Sequence, residues 1–250
     1  MSIAGQTATI RYQLEGVEAV ATLGLEGPAI SATLRISNGG KRTIEETIFP
    51  WVRGLAPIPD ASLICPSMFG RRTRDPFGAA LGRDHHTWNE GGQKRVYRYP
   101  EHLASAWYDY GNGDRAIALE GRQTDFSIMD FFVQKVVQKT FDPIRRTLDL
   151  ATVQPRRIKP GETWTSAPVR IVIHQGDWHV VAQSHRDWLS TWVKRPDRPR
   201  KFAETIGWHF YFMKHQDGLV LNTYNDLPRK AEASLAAGCR ISWSSAGRPA

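Results

Sequence analysis

The chain has 250 residues, 41% of them hydrophobic, 23% charged and 10% aromatic, a balance that excludes disorder and describes one large folded domain or a domain with a further piece. Lys and Arg number 33 against 25 Asp and Glu, a formal charge of +8 that raises nucleic acid as a partner. The excess is scattered arginine, and its denser patches (Arg71, Arg72 and Arg74; Arg156, Arg157 and Lys159; Lys194 to Lys201) lie beside prolines, so solvated surface is the better reading. Cys65 and Cys239 stand far apart, which argues against a disulfide framework and against a paired-cysteine metal site. The first residues lack a basic then apolar leader, and no apolar run approaches the about 20 residues of a membrane helix. As given, the chain reads as cytoplasmic with no membrane partner, an exported parent being left open.

From Thr7 to about Ile173 the pattern is β. Short alternating runs at Thr9 to Leu14, Val17 to Leu23 and Ile30 to Ile36 are followed by the turn Asn38-Gly39-Gly40-Lys41 and a further run from Thr43 to Trp51. Alternation predicts strands with one buried and one wet face, and repeated short strands predict a sandwich. Gly54 to Tyr99, rich in Pro, Gly and Arg, reads as long loops. Strands resume at Ser105 to Tyr110 and Arg115 to Glu120, joined by Gly111-Asn112-Gly113-Asp114, whose Asn-Gly step is a hairpin signal. Further strands are expected near Phe126 to Gln138, Thr147 to Gln154 and Val169 to His174.

The period changes at Asp177. Val180, Val181, Trp188, Leu189 and Trp192 fall at helical spacing, with Asp177 or Gly176 as cap, and Pro196 and Pro199 end the helix in a linker. Thr205 to Met213 is apolar on both alternating faces, as a doubly buried strand requires. A helix starts at Asn225 or Asp226, with Leu227, Ala231, Leu235 and Ala236 inward and Gly238 closing it, before a second strand at Ile241-Ser242-Trp243. The expected fold class is mainly β: a large antiparallel sandwich, a linker helix and a C-terminal β-α-β fragment. Its divisions are 1–178 for the sandwich, 179–200 for the linker helix and Pro-rich linker, and 201–250 for the strand-helix-strand piece.

Lys159-Pro160-Gly161-Glu162-Thr163-Trp164-Thr165-Ser166-Ala167-Pro168-Val169, then His174-Gln175-Gly176-Asp177-Trp178-His179 and the helix bearing His185-Arg186-Asp187-Trp188, resemble the closing strands and linker helix of a sugar-enzyme sandwich. The Ile206 to Gly218 strand and the Tyr224-Asn225-Asp226-Leu227-Pro228 helix start resemble the opening of a (β/α)₈ barrel. Together they resemble glycoside-hydrolase-like proteins with an N-terminal galactose-mutarotase-like β-supersandwich and a barrel of the α-galactosidase group. The resemblance implies that the catalytic carboxylates belong to later barrel strands, so no catalytic residue is assigned and the chain reads as truncated. Cleavage needs two carboxyl groups, about 5 Å apart for retention or roughly 6.5 to 9.5 Å for inversion, and Asp217 has no evident partner.

Lys214-His215-Gln216-Asp217, at the C-terminal end of the first barrel-like strand, suits hydrogen bonding to sugar hydroxyls; the alternative is a solvated loop. His86 and Trp88, with Asp84, Asn89 and Glu90, offer a stacking plane and polar partners, against ordinary loop packing. Adjacent His85 and His86 would point oppositely on a strand, so no metal site is assigned, and no cofactor motif is present. Asp109, Asn112 and Asp114 read as hairpin chemistry, Trp51, Trp107, Trp164 and Trp178 as core, and Trp188 and Trp192 as holding the helix to the sandwich. The expected partner is carbohydrate, as an oligosaccharide or glycoside, with the chain the N-terminal portion of a carbohydrate-active enzyme. The alternatives are a stand-alone carbohydrate-binding module and, less favoured, a nucleic-acid-binding protein. An uncovered β-α-β unit also predicts self-association.

Overall fold

Alternating residues become strands across most of the computed structural model, which describes residues 1–67, 70–78, 94–138, 145–194, 197, 208–215, 217–239 and 241–245. The chain divides into two units, Met1–Val193 and Lys194–Ala250.

In the first unit β1 (Ser2–Ala4), β2 (Thr7–Leu14), β3 (Val17–Glu26) and β4 (Ala29–Asn38) form an antiparallel meander. The β2–β3 turn places Gly16 at φ +83°, a conformation glycine reaches without steric cost. It packs on the turn after β4: Gly39 donates its N–H to the Gly16 carbonyl at 3.0 Å, and a Cβ on Gly39 would lie 2.8 Å from that oxygen. Ten strands follow: β5 (Thr47–Leu55), β6 (Ser62–Cys65), β7 (Arg71–Arg74), β8 (Lys94–Tyr99), β9 (Trp107–Gly111), β10 (Gly113–Gly121), β11 (Met129–Gln138), β12 (Arg145–Gln154), β13 (Thr163–Thr165) and β14 (Val169–Gly176). A long sheet runs β1-β2-β3-β4-β14-β10-β9-β6-β7, with β13 also on β4, and a short sheet runs β5-β12-β11-β8; every pairing in both is antiparallel.

The sheets meet over one apolar core. Tyr97, Phe131, Leu148 and Leu150 of the short sheet face Leu63, Tyr108, Tyr110 and Leu119 of the long sheet, all buried. Removing this surface from water is the main stabilising term. Tyr108 stacks edge-on against Phe131 at 5.2 Å, and its hydroxyl donates to the Phe132 and Ala151 carbonyls at 3.2 and 3.3 Å, which satisfies the one polar atom it carries between the sheets.

The other face of the central long-sheet strands carries α1 (His179–Trp192), with Val181 packed against Trp107, Ala118, Val172 and Ala29. Asp177 accepts the His179 N–H at 3.0 Å where the helix begins. The face expected to be wet is thus covered here. Trp107 stacks on Trp178 at 6.0 Å, and Trp188 and Trp192 touch one another and, through Trp192, Phe126.

Two expectations are corrected. Within the stretch from Gly54 to Tyr99 expected as loops, Ser62–Cys65, Arg71–Arg74 and Lys94–Tyr99 are strands; prolines around β6 mask its alternation, which sends Leu63 and Cys65 into the core. Trp51 is 42% exposed rather than core, set edge-on to Phe132 at 6.3 Å beneath the Arg53 guanidinium at 4.8 Å.

In the second unit β15 (Trp208–Phe212) pairs in parallel with β16 (Ile241–Ser245), and between them a 3₁₀ turn (Tyr224–Asp226) leads into α2 (Leu227–Ala236). Parallel pairing requires such a crossover. The Asp226 carboxylate accepts from the Thr223 N–H and hydroxyl, both at 2.8 Å, Pro228 sits in the first turn, and Gly238 follows the helix at φ +80°. The inward face departs from expectation: Ser234 is buried, while Leu235 is 63% exposed and Ala236 is exposed. The reason is polar, since Tyr211 of β15 donates its hydroxyl to the Lys230 carbonyl at 3.1 Å and meets Ser234 Oγ at 2.8 Å.

Candidate functional site

The segment after β15 closes on itself. Lys214 bridges to Val220, the His215 N–H donates to the Leu219 carbonyl at 2.8 Å, and the Gly218 N–H donates back to His215 at 3.0 Å. The Asp217 carboxylate accepts the Leu219 N–H at 3.2 Å and lies 2.8 Å from His215 Nδ1. These hydrogen bonds hold its pKa below the usual carboxylate range, the Leu219 N–H foremost. Lys214, His215 and Asp217 are brought together and exposed. Gln216, His86 and Trp88 lie outside the described residues.

A second cluster carries no local signal in the sequence. Period-two alternation turns Leu119 to the core and Glu120 toward α1, and the β10–β14 register sets Glu120 directly opposite Arg170. Glu120, fully buried, accepts from Arg122 at 2.9 Å and Arg170 at 3.2 Å, with His185 Nδ1 of α1 at 3.1 Å. Both guanidinium groups also reach Ser184 of α1 at 3.0 Å. Arg122 lies 4.9 Å from the Trp188 ring centroid, and burial lowers its pKa against the opposing pull of Glu120. Beneath the helix these groups dock α1 on the sheet, and the Glu120 carboxylate at their centre is closed to solvent.

One strand along, Asp109 of β9 and His174 of β14 meet across β10, His174 Nε2 lying 2.7 Å from Asp109 Oδ2. Both side chains are about 5% exposed or less, and burial raises the pKa of Asp109 against the lowering effect of His174. The hairpin role foreseen for Asp109 falls to Asn112, whose Oδ1 accepts the Asp114 and Arg115 N–H groups. Cys65 is buried and its thiol is pushed up to about 12 by that burial, which removes it as a nucleophile. Among the described residues no group of three or more His, Cys, Asp or Glu side chains is arranged to hold a metal, and no helix is long and apolar enough to cross a membrane.

The third place is a cleft of about 460 Å³ beside the end of β10, formed by Arg122 to Asp125, Ser127 and Ile128, Gln154 to Arg156 and Trp164 to Pro168. Its volume lies within the roughly 300–1,000 Å³ of small-molecule sites. Two glutamines line it with opposite fates. Gln154 is held by the Ala167 backbone, accepting its N–H at 2.9 Å and donating to its carbonyl at 3.3 Å. Gln123, 5% exposed, has neither its amide oxygen nor its amide nitrogen hydrogen-bonded to the protein. In the sequence, a Gln directly after a strand end carries no distinguishing signal.

No protein-family model matches the chain, and no curated protein matches it. Among solved structures it is similar to the α-galactosidase of Lactobacillus brevis, with 8% identity, TM-score 0.46, and 96% of this chain and 32% of that one covered. It is similar to the GH36 α-galactosidase AgaA of Geobacillus stearothermophilus in complex with raffinose, with 12% identity, TM-score 0.46, and 94% of this chain and 32% of that one covered. A galactose mutarotase related enzyme of Lactobacillus acidophilus aligns with 10% identity and TM-score 0.36, covering 69% of this chain and 68% of that one. The chain thus spans about a third of the length of the two galactosidases.

Proposed function

We propose that this chain is the β-sandwich portion of a carbohydrate-active, glycoside-hydrolase-like protein, and that it binds or supports carbohydrate without cleaving glycosidic bonds itself. The observation that carries this reading is the order of elements. A two-sheet sandwich closes on β13 and β14, a helix docks on its outer face, and a parallel strand-helix-strand unit follows. That is the order implied by the motif resemblance from Lys159 to Pro228. The carboxylates of the sandwich interior support the non-catalytic part: Glu120 and Asp109 are buried and engaged by cations or histidine, whereas hydrolysis needs a carboxyl pair open to the sugar. Lys214, His215 and Asp217 form an exposed polar group that suits sugar hydroxyls.

Two assays on the purified chain test this reading. On a glycan array, retention of a subset of glycans is expected, and binding to none removes the carbohydrate reading. With a panel of aryl glycosides no release is expected; release abolished in Asp217→Asn would overturn the non-catalytic part. The exposed Leu219, Val220, Leu221 and Leu235 of the second unit also favour self-association. Light scattering should show mass rising with concentration, less so in Leu235→Lys, and a constant monomer mass would remove that proposal.

A further inference from the structure

We infer that the inner face of β1 to β3, where the long sheet runs past the short one, is the contact through which two copies of this chain pair about a two-fold axis. Such pairing holds whether or not the chain binds carbohydrate.

The β1–β2 and β2–β3 registers put Ile3, Ala8, Ile10, Tyr12 and Leu14 on the same face as Ala21, and Thr7, Thr9, Arg11 and Gln13 on the other. Alternation this regular marks a face to be covered. Cover is present on β4 and the middle of β3, where Ile158 and the half-buried Ile44 and Trp164 pack with Ala21, Leu34 and Ile36, none of these three more than 7% exposed. Further out, Ile3, Tyr12, Leu14 and Leu25 are 69, 56, 74 and 51% exposed. With their half-buried neighbours they leave open roughly 800 Å², more than the largest apolar patch of a typical monomer and about what each partner buries in a stable dimer.

A second copy fits because this surface carries both halves of a contact. Beside Leu14 an open cleft of about 720 Å³ lies between Tyr12, Val17 and Ala19 and the turn from Asn38 to Arg42. A two-fold axis next to it seats the projecting Leu14 of each copy in the cleft of the other, an isologous contact, with two apolar sheet faces layered as in a sandwich. The rim charges are self-complementary as well. Glu15 stands at one wall of the cleft and Lys41 and Arg42 at the other, and among the described residues none of these three side chains has an ion pair or a hydrogen bond. Glu15 is also an unfavourable choice for its place. With Gly16 it makes the two-residue β2–β3 loop at φ +49°, a left-handed position that Gly, Asn or Asp fills at less cost. A glutamate kept there against local preference, its carboxylate unused within the chain, is accounted for by a cation of the partner.

Sedimentation equilibrium of the full chain tests the pairing, with Leu235→Lys present throughout so that the second unit is discounted. Expected is an equilibrium between monomer and dimer. Adding Leu14→Lys should raise the dissociation constant at least about tenfold, since each dimer loses two buried leucines, while the unfolding midpoint of the dilute protein stays level because residue 14 is exposed in the monomer. Glu15→Lys should also weaken the dimer, and Glu15→Lys with Lys41→Glu and Arg42→Glu should restore it, a rescue that a damaged fold does not give. A monomer at every concentration would leave self-association to the second unit and overturn the pairing. So would a dimer indifferent to Leu14→Lys, or charge reversal without rescue. Mass rising past the dimer without limit would mean open-ended strand addition at the β1 edge in place of two-fold closure, and would overturn it too.

Discussion

On β10, Leu119 turns into the apolar core, its neighbour Glu120 turns toward α1, and both are 0% exposed. One strand therefore serves two interfaces of opposite chemistry. Toward the short sheet the contacts are non-directional, and many residues share the load. Toward α1 a few polar groups fix one arrangement: Arg122 and Arg170 of the sheet share the Glu120 carboxylate with His185 of the helix and both reach Ser184, so α1 docks where His185 and Ser184 meet them. The apolar face makes the sandwich stable; the polar face fixes where its helix lies.

Substitutions on the two faces should separate these roles. Phe131→Ala, in the centre of the apolar face, is expected to cost about 3–5 kcal/mol by urea or guanidinium unfolding, with every probe reporting the same transition. Glu120→Ala should cost about as much, 3–5 kcal/mol, because it leaves two guanidinium groups facing each other under the helix. Its loss should show first as faster amide exchange in α1, ahead of the sheets. Replacing the whole cluster (Glu120→Leu, Arg122→Met, Arg170→Met and His185→Phe) should bring stability back to wild type or above. A quadruple variant as unstable as Glu120→Ala would show that the charges stabilise the sandwich rather than position its helix.

The apolar face was legible in the sequence and the polar face was not. Alternation at Val17 to Leu23, Ile30 to Ile36 and Arg115 to Glu120, with Asn112-Gly113 as a turn, is a local signal, and each became paired strand. Which strand face a helix 65 residues later covers is not local. Glu120 followed by Arg122 reads as a solvated edge until α1 brings His185 and Ser184 to it. Asp109 likewise reads as turn chemistry in the sequence because its partner, His174, lies 65 residues away. In the second unit the helix start near Asp226 and the parallel strand pair could be read from spacing, but the Asp226 carboxylate reaches back to Thr223 and does not cap α2, and the choice of Ser234 over Leu235 as the buried residue depends on the Tyr211 hydroxyl.

A smaller effect should appear on acidification. Asp109 is buried on the α1 side of the sheet and its folded pKa is raised, so the folded state binds its proton more readily than the unfolded chain does. Relative to Asp109→Asn, the wild type should therefore gain stability as pH falls from neutral through the raised pKa, with the gain complete near the ordinary value of 3.8. The readout is the difference in unfolding free energy between the two proteins across that window. A difference that moves the other way would mean that the bond to His174, not burial, dominates.

The smallest effect belongs to Asp217, and its sign is opposite. This carboxylate is fully exposed, and its pKa is lowered by the Leu219 N–H and by His215. The contribution it makes to its turn is therefore present above the ordinary carboxylate value and is lost as pH falls through the lowered one. Because the turn lies in the second unit and its bonds are local, Asp217→Ala should leave unfolding of the sandwich unchanged. What should change is the Leu219 amide: protected from exchange at neutral pH in the wild type, released in acid, and unprotected throughout in the variant. If Asp217→Ala instead shifted the sandwich transition, the two carboxylates would belong to one cooperative structure. The contrast between a buried acid that gains from protonation and an exposed one that loses by it would then have to be drawn within a single folding unit.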